Sequence, residues 1–213
     1  MPGWFDGEVA DLERRTRSLQ GGRNLILFYG SSSFTLWHGL AGHFPEHNVV
    51  NHGFGGSTLA DCIDYFDRLV VAYSPSVLIV YAGDNDLGDG ATPEQVVERL
   101  RIIIQRKREA LGAAPMAFVS IKVSPARFAL MHGIAYTNRL IERELAEGND
   151  VRFVDITRRM VGRGLGPLLN YYTEDPLHMN EDGYRVLGGS LAEYIGTVER
   201  DAGDLRIRRA QAR

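Results

Sequence analysis

Short apolar runs alternate along the chain with longer stretches in which apolar residues recur every three or four positions. Runs that are apolar throughout are typical of strands buried on both faces, as in a parallel sheet covered by helices. The pattern therefore predicts five parallel strands. They lie at NLILFYG (24–30), NVVNHGFGG (48–56), SVLIVYAG (76–83), PMAFVSIK (115–122) and VRFVDI (151–156).

Helical spacing fills the segments between these runs. The clearest helix begins at Thr92, a typical N-cap, with Pro93 at the first helical position, Gln95 completing a capping box and Gly112 ending the helix. Because helices and strands alternate, we expect an α/β fold with right-handed crossovers. Further helices are predicted over 7–19, 33–43, 59–70, 127–147 and 182–199.

Length indicates one domain over residues 1–213. A chain of 213 residues suits a single core, because cores grow to roughly 250 residues before they split. Residues 1–20 are predicted to form an N-terminal helical extension, whose Trp4 and Phe5 suggest a contact between copies of the chain. Residues 203–213 form a basic tail that we expect to be flexible and solvated.

Charge and cysteine content limit the classes of partner and the cell compartments that we expect. A net charge of −3 offers no basic surface for nucleic acid or an anionic membrane. No apolar run approaches the ~20 residues of a spanning helix, and the acidic start is unlike a signal peptide. The one cysteine, Cys62, excludes an intrachain disulfide and is predicted to be a buried structural thiol. We therefore expect a cytoplasmic protein with no membrane span and no nucleic-acid partner.

Polar stretches follow the ends of the predicted strands, where the sites of open α/β sheets gather. They supply serines, glycines, an asparagine and an Asp–His pair. Acyl transfer needs this set: a nucleophile, a base, a group that orients the base, and donors for an oxyanion. The stretches are GSSS (30–33), GFGGST (53–58), AGDNDL (82–87) and DPLH (175–178).

In this order and spacing, the stretches resemble the four sequence blocks of the SGNH hydrolases, also called GDSL-type esterases and lipases. The resemblance spans residues 28–185 and implies a three-layer α/β/α, flavodoxin-like fold with a five-stranded parallel sheet. It maps the nucleophile to Ser32 and the base to His178. It maps the remaining site residues to Gly56, with Gly55 as a one-residue alternative, to Asn85 and to Asp175.

Physical roles follow for these residues. Ser32 lies where a strand turns into a helix, and His178 can accept its proton once Asp175 bonds Nδ1 and leaves Nε2 facing the serine. The oxyanion is then held by the N–H groups of Ser32 and Gly56 and by the side-chain amide of Asn85. No metal or organic cofactor is required.

One position departs from the family pattern, which usually has aspartate before the nucleophile. Ser31 stands there, so the missing hydrogen bonds must come from Ser31, from Asp84 or Asp86, or from water. Ser31 and Ser33 also remain alternatives for the nucleophile. With Ser32 as nucleophile, Ser33 is assigned to capping the helix.

Each block also has an ordinary structural interpretation, as a helix cap, a glycine turn or a surface histidine. Four coincidences in the family's order are less probable than one site. A metal site formed by His38, His43, His47 and His52 is disfavoured, because Pro45 interrupts their helix and no carboxylate or thiolate completes a ligand set.

The substrate is the least constrained part of the prediction. The apolar connection 157–175 could form a pocket wall or pack as core. Lys122 and Arg127 could meet an anionic substrate group, although surface charge is the favoured interpretation. We expect a serine esterase that acts on small-molecule carboxylic esters, including thioesters or acetylated compounds, through an acyl-enzyme on Ser32. The alternatives are an acyltransferase that uses the same site and a non-catalytic binding module on the same fold.

Overall fold

The computed structural model describes residues 3–22 and 24–211, with side chains described as far as residue 204. The central strands are β1 Leu25–Gly30, β2 Asn48–Gly53, β3 Val77–Tyr81, β4 Met116–Val119 and β5 Val151–Val154. They form one sheet in the order β2-β1-β3-β4-β5, and every pairing is parallel. The prediction of a five-stranded parallel sheet is confirmed, and the strand order is flavodoxin-like.

Helices cover both faces of the sheet. Their bounds are α1 Asp6–Thr16, α2 Ser32–Thr35, α3 Leu40–His43, α4 Leu59–Asp64, α5 Phe66–Leu69, α6 Asp84–Gly88, α7 Pro93–Leu111, α8 Met131–Leu145, α9 Thr157–Met160 and α10 Glu181–Gln211. Among the described helices, none is long and apolar enough to cross a bilayer.

Two hydrophobic cores lie on opposite faces of the sheet. Successive strand residues point to opposite faces, so Leu27 and Tyr29 of β1 join one core while Ile26 and Phe28 join the other. The first core is closed by α1, α4, α5, α7 and α8, and the second by α2, α3, α9 and α10. The three-layer α/β/α architecture is therefore confirmed.

Several predicted helices are interrupted. The helix expected over 33–43 forms α2 and α3 with a turn between them, because the chain bends so that Phe34 and Trp37 both enter the core. The helix expected over 59–70 breaks at Tyr65, and the one expected over 127–147 starts as a 3₁₀ segment, Pro125–Leu130. Tertiary packing overrides helical spacing in these places.

The predictions for the two ends of the chain have different outcomes. Phe5 packs edge-to-face against Phe54, so it supports the fold. Trp4 is 94% exposed, and the contact between copies stays a prediction. Helix α10 continues past the predicted end at 199 to Gln211. The flexibility of the basic tail stays a prediction, because its side chains from 205 onward and residues 212–213 lie outside the described residues. The single-domain assignment and the cytoplasmic location also stay predictions.

Helix α7 begins with the predicted capping box, and one lysine near its C-terminal end is buried. The Gln95 N–H donates to Thr92 Oγ1 and the Thr92 N–H donates to Gln95 Oε1. Lys107 is fully buried, and its Nζ lies 3.0 Å from Asp150 Oδ2. Arg108 pairs with the same carboxylate, and together these bonds hold the pKa of Asp150 well below its usual range.

Replacing Asp150 by Asn is expected to lower the free energy of unfolding by about 1–3 kcal/mol, because it leaves a buried ammonium without a counter-ion. A carboxylate with a lowered folded-state pKa stabilises the fold above its unfolded-state pKa. The difference between wild type and variant should therefore be full near neutral pH and shrink as the pH falls below about 5. Urea unfolding at pH 7 and pH 3 measures it, and a difference that grows on acidification would contradict the assignment.

Candidate active site

The first polar stretch exposes one of its three serines. Gly30 ends β1 with φ +143°, where a Cβ would collide with the Tyr81 carbonyl, and the chain turns directly into α2. Ser31 and Ser33 are buried at this turn, whereas Ser32 is partly exposed. Ser32 lies in the first turn of α2, where a helix leaves its N–H groups without intrahelical acceptors. Geometry thus favours Ser32 over its neighbours as the reactive hydroxyl.

A chain of hydrogen bonds runs from Ser32 to a histidine and an aspartate. His178 Nε2 lies 3.0 Å from Ser32 Oγ, and His178 Nδ1 lies 2.5 Å from Asp175 Oδ2. The Leu177 N–H donates to the other oxygen of Asp175, and this bond, followed by that of His178, lowers the pKa of the carboxyl. The ionised carboxylate favours the tautomer with hydrogen on Nδ1, which leaves Nε2 free to accept the serine proton.

The segment that carries His178 folds back on itself. Tyr172 and Met179 form an antiparallel bridge, and the Thr173 N–H donates to the His178 carbonyl at 3.0 Å. The Tyr172 hydroxyl donates to the carbonyl of Val123, which fixes this loop to the segment after β4. The histidine is therefore held by a short folded loop that packs on a neighbouring strand end.

Asn85 and Gly56 lie side by side. Asn85 is in the first turn of α6, after Gly83 with φ +118°, and its Nδ2 donates to the Ser57 carbonyl at 3.2 Å. A Cβ built on Gly56 would lie 3.8 Å from Asn85 Nδ2, whereas one built on Gly55 would collide with Phe5. Of the two glycines, Gly56 is the one beside Asn85, so we take it as the oxyanion-hole candidate.

Removing the Asn85 amide is expected to lower kcat by about 10²–10³-fold with little change in KM, as is typical of a lost oxyanion donor. Asn85→Ala measures this effect. Asn138→Ala is a partial control, because Asn138 also uses its amide to brace a loop, bonding both backbone groups of Ile121. A fall in kcat of less than threefold in Asn85→Ala would remove Asn85 from the oxyanion hole.

The N-terminal helix supports the Gly56 loop. The Gly55 N–H donates to Glu8 Oε1 at 2.8 Å, and Phe5 packs on Phe54 with ring centroids 5.3 Å apart. Helix α1 is tied down in turn by Arg68, which pairs with Asp6 and Glu13. The predicted N-terminal extension thus contributes to the shape of the site, a role that its sequence did not signal.

A buried ion pair lies behind the serine turn. Lys122 is 1% exposed, and its Nζ lies 3.1 Å from each of three atoms, which are Ser33 Oγ, Tyr81 Oη and Asp84 Oδ2. Burial alone would lower the pKa of Lys122, but Tyr81 and Asp84 outweigh it and raise that pKa above its usual value. For Asp84 the directions are reversed. Burial alone would raise its pKa, but Lys122 and then Arg127 outweigh burial and lower that pKa, so the carboxyl stays ionised.

This network corrects two sequence predictions. The favoured interpretation of Lys122 as surface charge is wrong, because Lys122 joins strand ends β1, β3 and β4 in the interior. Ser33 does not cap α2; its Oγ accepts from Lys122, and Ser31 occupies the N-cap position without a side-chain cap bond. Among the described residues Ser31 Oγ has no partner, and Asp84 is connected to the serine turn through Lys122, which bonds both Asp84 and Ser33 Oγ.

Helix α2 is held from further sides. Asn51 of β2 donates from Nδ2 to the Phe34 carbonyl at 2.6 Å, and the Tyr184 hydroxyl of α10 donates to the Ser33 carbonyl at 3.0 Å. Asp86 acts elsewhere, since it accepts from the Leu59 N–H and from Arg99 and so anchors α4. These positioning residues come from segments far apart in sequence, which is why the motifs did not reveal them.

Arg127 lies at the edge of the site and is half-buried. Its Nη2 is 3.5 Å from Asn85 Oδ1, and its guanidinium lies so close to Gly88 that any side chain there would collide with it. This placement does not fit the expectation of ordinary surface charge. It puts a permanent positive charge next to the amide that faces the candidate oxyanion hole.

The apolar connection 157–175 divides between the two expected roles. Met160 and Tyr172 are buried in the second core, while Leu165 and Leu169 are 61% and 71% exposed. Core packing therefore holds for part of the connection. A pocket wall formed by the exposed part stays a prediction.

The remaining histidines and Cys62 lie apart from one another in the described part of the chain. Across residues 3–22 and 24–204, no group of three or more His, Cys, Asp or Glu side chains could hold a metal ion. His52 is buried, its Nδ1 bonds the Leu69 carbonyl, and burial lowers its pKa to about 4. Cys62 is fully buried, as predicted, and burial raises its pKa.

Comparison with known sequences identifies one family. The GDSL-like lipase/acylhydrolase family matches residues 22–186, which contain all four polar stretches. A comparison with curated proteins finds no match.

Solved structures of low sequence identity share the fold. A Bacteroides fragilis protein described as a candidate acylhydrolase has a TM-score of 0.81 at 18% identity, over 93% of this chain and 99% of that one. A GDSL-like lipase from Bacteroides thetaiotaomicron has a TM-score of 0.74 at 19% identity, over 91% and 96%. A catalytic mutant of an acetylxylan esterase from Geobacillus stearothermophilus has a TM-score of 0.68 at 16% identity, over 82% and 94%.

Proposed function

Because the chain belongs to the GDSL-like lipase/acylhydrolase family, we propose that it hydrolyses carboxylic esters through an acyl-enzyme formed on Ser32. The observation that carries the proposal is the continuous hydrogen-bond chain from Ser32 through His178 to Asp175. It joins residues 146 positions apart in sequence. Such a chain is what activates a serine hydroxyl, which is a weak nucleophile on its own.

Acylation follows from this geometry. The Ser32 hydroxyl attacks the ester carbonyl while His178 Nε2 takes its proton, and Asp175 stabilises the imidazolium that forms. The negative charge that develops on the carbonyl oxygen meets the N–H groups of Ser32 and Gly56 and the Asn85 amide. His178 then gives the proton to the departing alkoxide.

Deacylation repeats the steps with water. A water molecule loses a proton to His178 Nε2 and attacks the acyl carbonyl, the same donors hold the oxyanion, and Ser32 leaves as the alcohol. The carboxylic acid departs and the site returns to its starting state. Partial exposure of Ser32 gives water access to the acyl group.

Initial rates on 4-nitrophenyl acetate, butyrate and octanoate test the proposal, and the panel includes acetyl esters because one structural relative is an acetylxylan esterase. His178→Ala is expected to lose about 10⁴-fold or more in kcat on every ester that the wild type hydrolyses. His132→Ala, an exposed histidine of α8, is the matched control. Equal rates for wild type and His178→Ala would contradict the proposal.

A further inference from the structure

Arg127 forms no salt bridge within the described part of the chain. No carboxylate of the described residues lies within 4 Å of its guanidinium, and the one hydrogen bond that its side chain makes to a described residue is to Asn85 Oδ1 at 3.5 Å. Asp84, the closest carboxylate in its environment, is already bonded to Lys122 at 3.1 Å. Lys122, Asp84 and Arg127 together therefore leave a net charge of +1, and Arg127 is the member that solvent reaches.

The segment that carries Arg127 is tied to the site, and the guanidinium packs against α6. The segment after β4 is bonded to the loop that carries His178, since the Ala126 N–H donates to the Pro176 carbonyl at 3.1 Å. Gly88 leaves a notch in α6 against which the guanidinium lies. Arg127 is thus held between α6 and the Asp–His loop, and most of its five N–H donors stay available to a ligand.

The distance to the reacting carbonyl is short. The path from the oxyanion to Arg127 runs through the Asn85 amide. It consists of the hydrogen bond from Nδ2 to the oxyanion, the width of the amide, and the contact from Oδ1 to Arg127 Nη2, so the oxyanion and Nη2 are at most about 9 Å apart. A half-buried arginine without a counter-ion is suited to bind a planar oxyanionic group in bidentate geometry. A carboxylate three to five carbons from an ester carbonyl fits this reach.

We propose that Arg127 is the anion-recognition residue of the site and that the substrate is an ester bearing a carboxylate or phosphate-type oxyanion near its reacting carbonyl. This inference rests on the proposed esterase function. Arg127 selects among esters, and His178 and Ser32 carry out the reaction.

Matched ester pairs test the inference and separate the sources of charge. The carboxylate arm compares the mono-4-nitrophenyl ester of adipic acid with 4-nitrophenyl methyl adipate. The phosphonate arm compares 4-nitrophenyl 5-phosphonopentanoate with its dimethyl ester, and an alcohol-side arm compares 4-acetoxybenzoate with its methyl ester. Each pair is measured with wild type, Arg127→Gln, Arg127→Lys and Arg143→Gln, an exposed α8 arginine that gives the same change in net charge.

For each pair, the preference is the kcat/KM of the charged ester divided by that of the neutral ester. In at least one arm this preference is expected to be about 10–100-fold larger in wild type than in Arg127→Gln. Dividing the wild-type preference by that of Arg127→Gln cancels the difference in intrinsic reactivity between the two esters. Arg127→Lys should keep part of the preference, Arg143→Gln all of it, and added salt should weaken it. The arm that responds identifies the kind of anion and the side of the ester on which it lies.

Two outcomes overturn the inference. One is an Arg127→Gln variant that loses the same factor on charged and neutral esters, since the arginine would then only position Asn85. The other is the absence of a preference in every arm. Both leave the proposed function intact as long as wild type hydrolyses the neutral esters, and failure on those esters is what marks the failure of the function itself.

A binding measurement decides the inference independently of turnover. Calorimetry with Ser32→Ala protein compares adipate monoamide, an anion, with its neutral methyl ester. Adding Arg127→Gln is expected to weaken binding of the anion at least tenfold and to leave the neutral compound unchanged. Equal binding of the anion with and without Arg127 would also overturn the inference.

Discussion

Ser32→Ala is expected to lower kcat on 4-nitrophenyl esters by about 10⁴-fold or more, because it removes the atom that forms the acyl-enzyme. The fold should be unaffected, since Ser32 is partly exposed and its side chain bonds only His178 among the described residues. Residual turnover then reflects the oxyanion donors and substrate binding alone. Steady-state kinetics with circular dichroism of both proteins measures the effect.

The neighbouring serine provides the matched control. Ser31→Ala removes a buried hydroxyl that has no hydrogen-bond partner within the described part of the chain, so its kcat should stay within a few-fold of wild type. The pair separates loss of the nucleophile from disturbance of the turn. If Ser31→Ala lost as much activity as Ser32→Ala, the nucleophile assignment would be wrong.

Lys122→Met is expected to lower the free energy of unfolding by about 3–5 kcal/mol, the usual cost of removing one partner of a buried ion pair. Asp84 would be left as a carboxylate that is 4% exposed and has lost its ammonium partner, while Ser33 and Tyr81 lose a donor. Urea unfolding measures the change as a lower midpoint with an unchanged slope. Where the single variant does not fold, its loss from the soluble fraction is the same result.

A double variant checks the cause of this instability. Lys122→Met combined with Asp84→Asn removes both charges, so the double variant should be more stable than Lys122→Met alone. If the two substitutions acted independently, their costs would add and the double variant would be less stable than Lys122→Met. If Lys122→Met cost less than 1 kcal/mol, or if the double variant were the least stable of the three, the ion pair would not be what stabilises the turn.

Patterns within short stretches of sequence predicted the strands, the location of the candidate site and one helix cap. The apolar runs marked the five strands because strands buried on both faces are apolar throughout. The polar stretches marked the site because parallel strands end at one edge. The capping box of Thr92 and Gln95 formed as expected, since all its bonds lie within three residues.

Contacts between distant segments were not predictable in this way. Lys122 is buried because Ser33, Tyr81 and Asp84 converge on its ammonium, and nothing in SIKVSPAR indicates that convergence. The same holds for Glu8, which reaches Gly55 across the fold. At Ser31 the expected hydrogen bonds are not replaced within the described residues, because Ser31 Oγ has no partner and Asp84, from another strand end, is linked to the serine turn through Lys122.

Labelling with a fluorophosphonate, followed by peptide mapping, shows whether Ser32 is the activated nucleophile, because the probe bonds to a serine that a base has activated. We expect a single adduct on Ser32 in wild type and none in Ser32→Ala or His178→Ala. An adduct on Ser31 or Ser33, or an unlabelled wild-type protein that is folded, would contradict it.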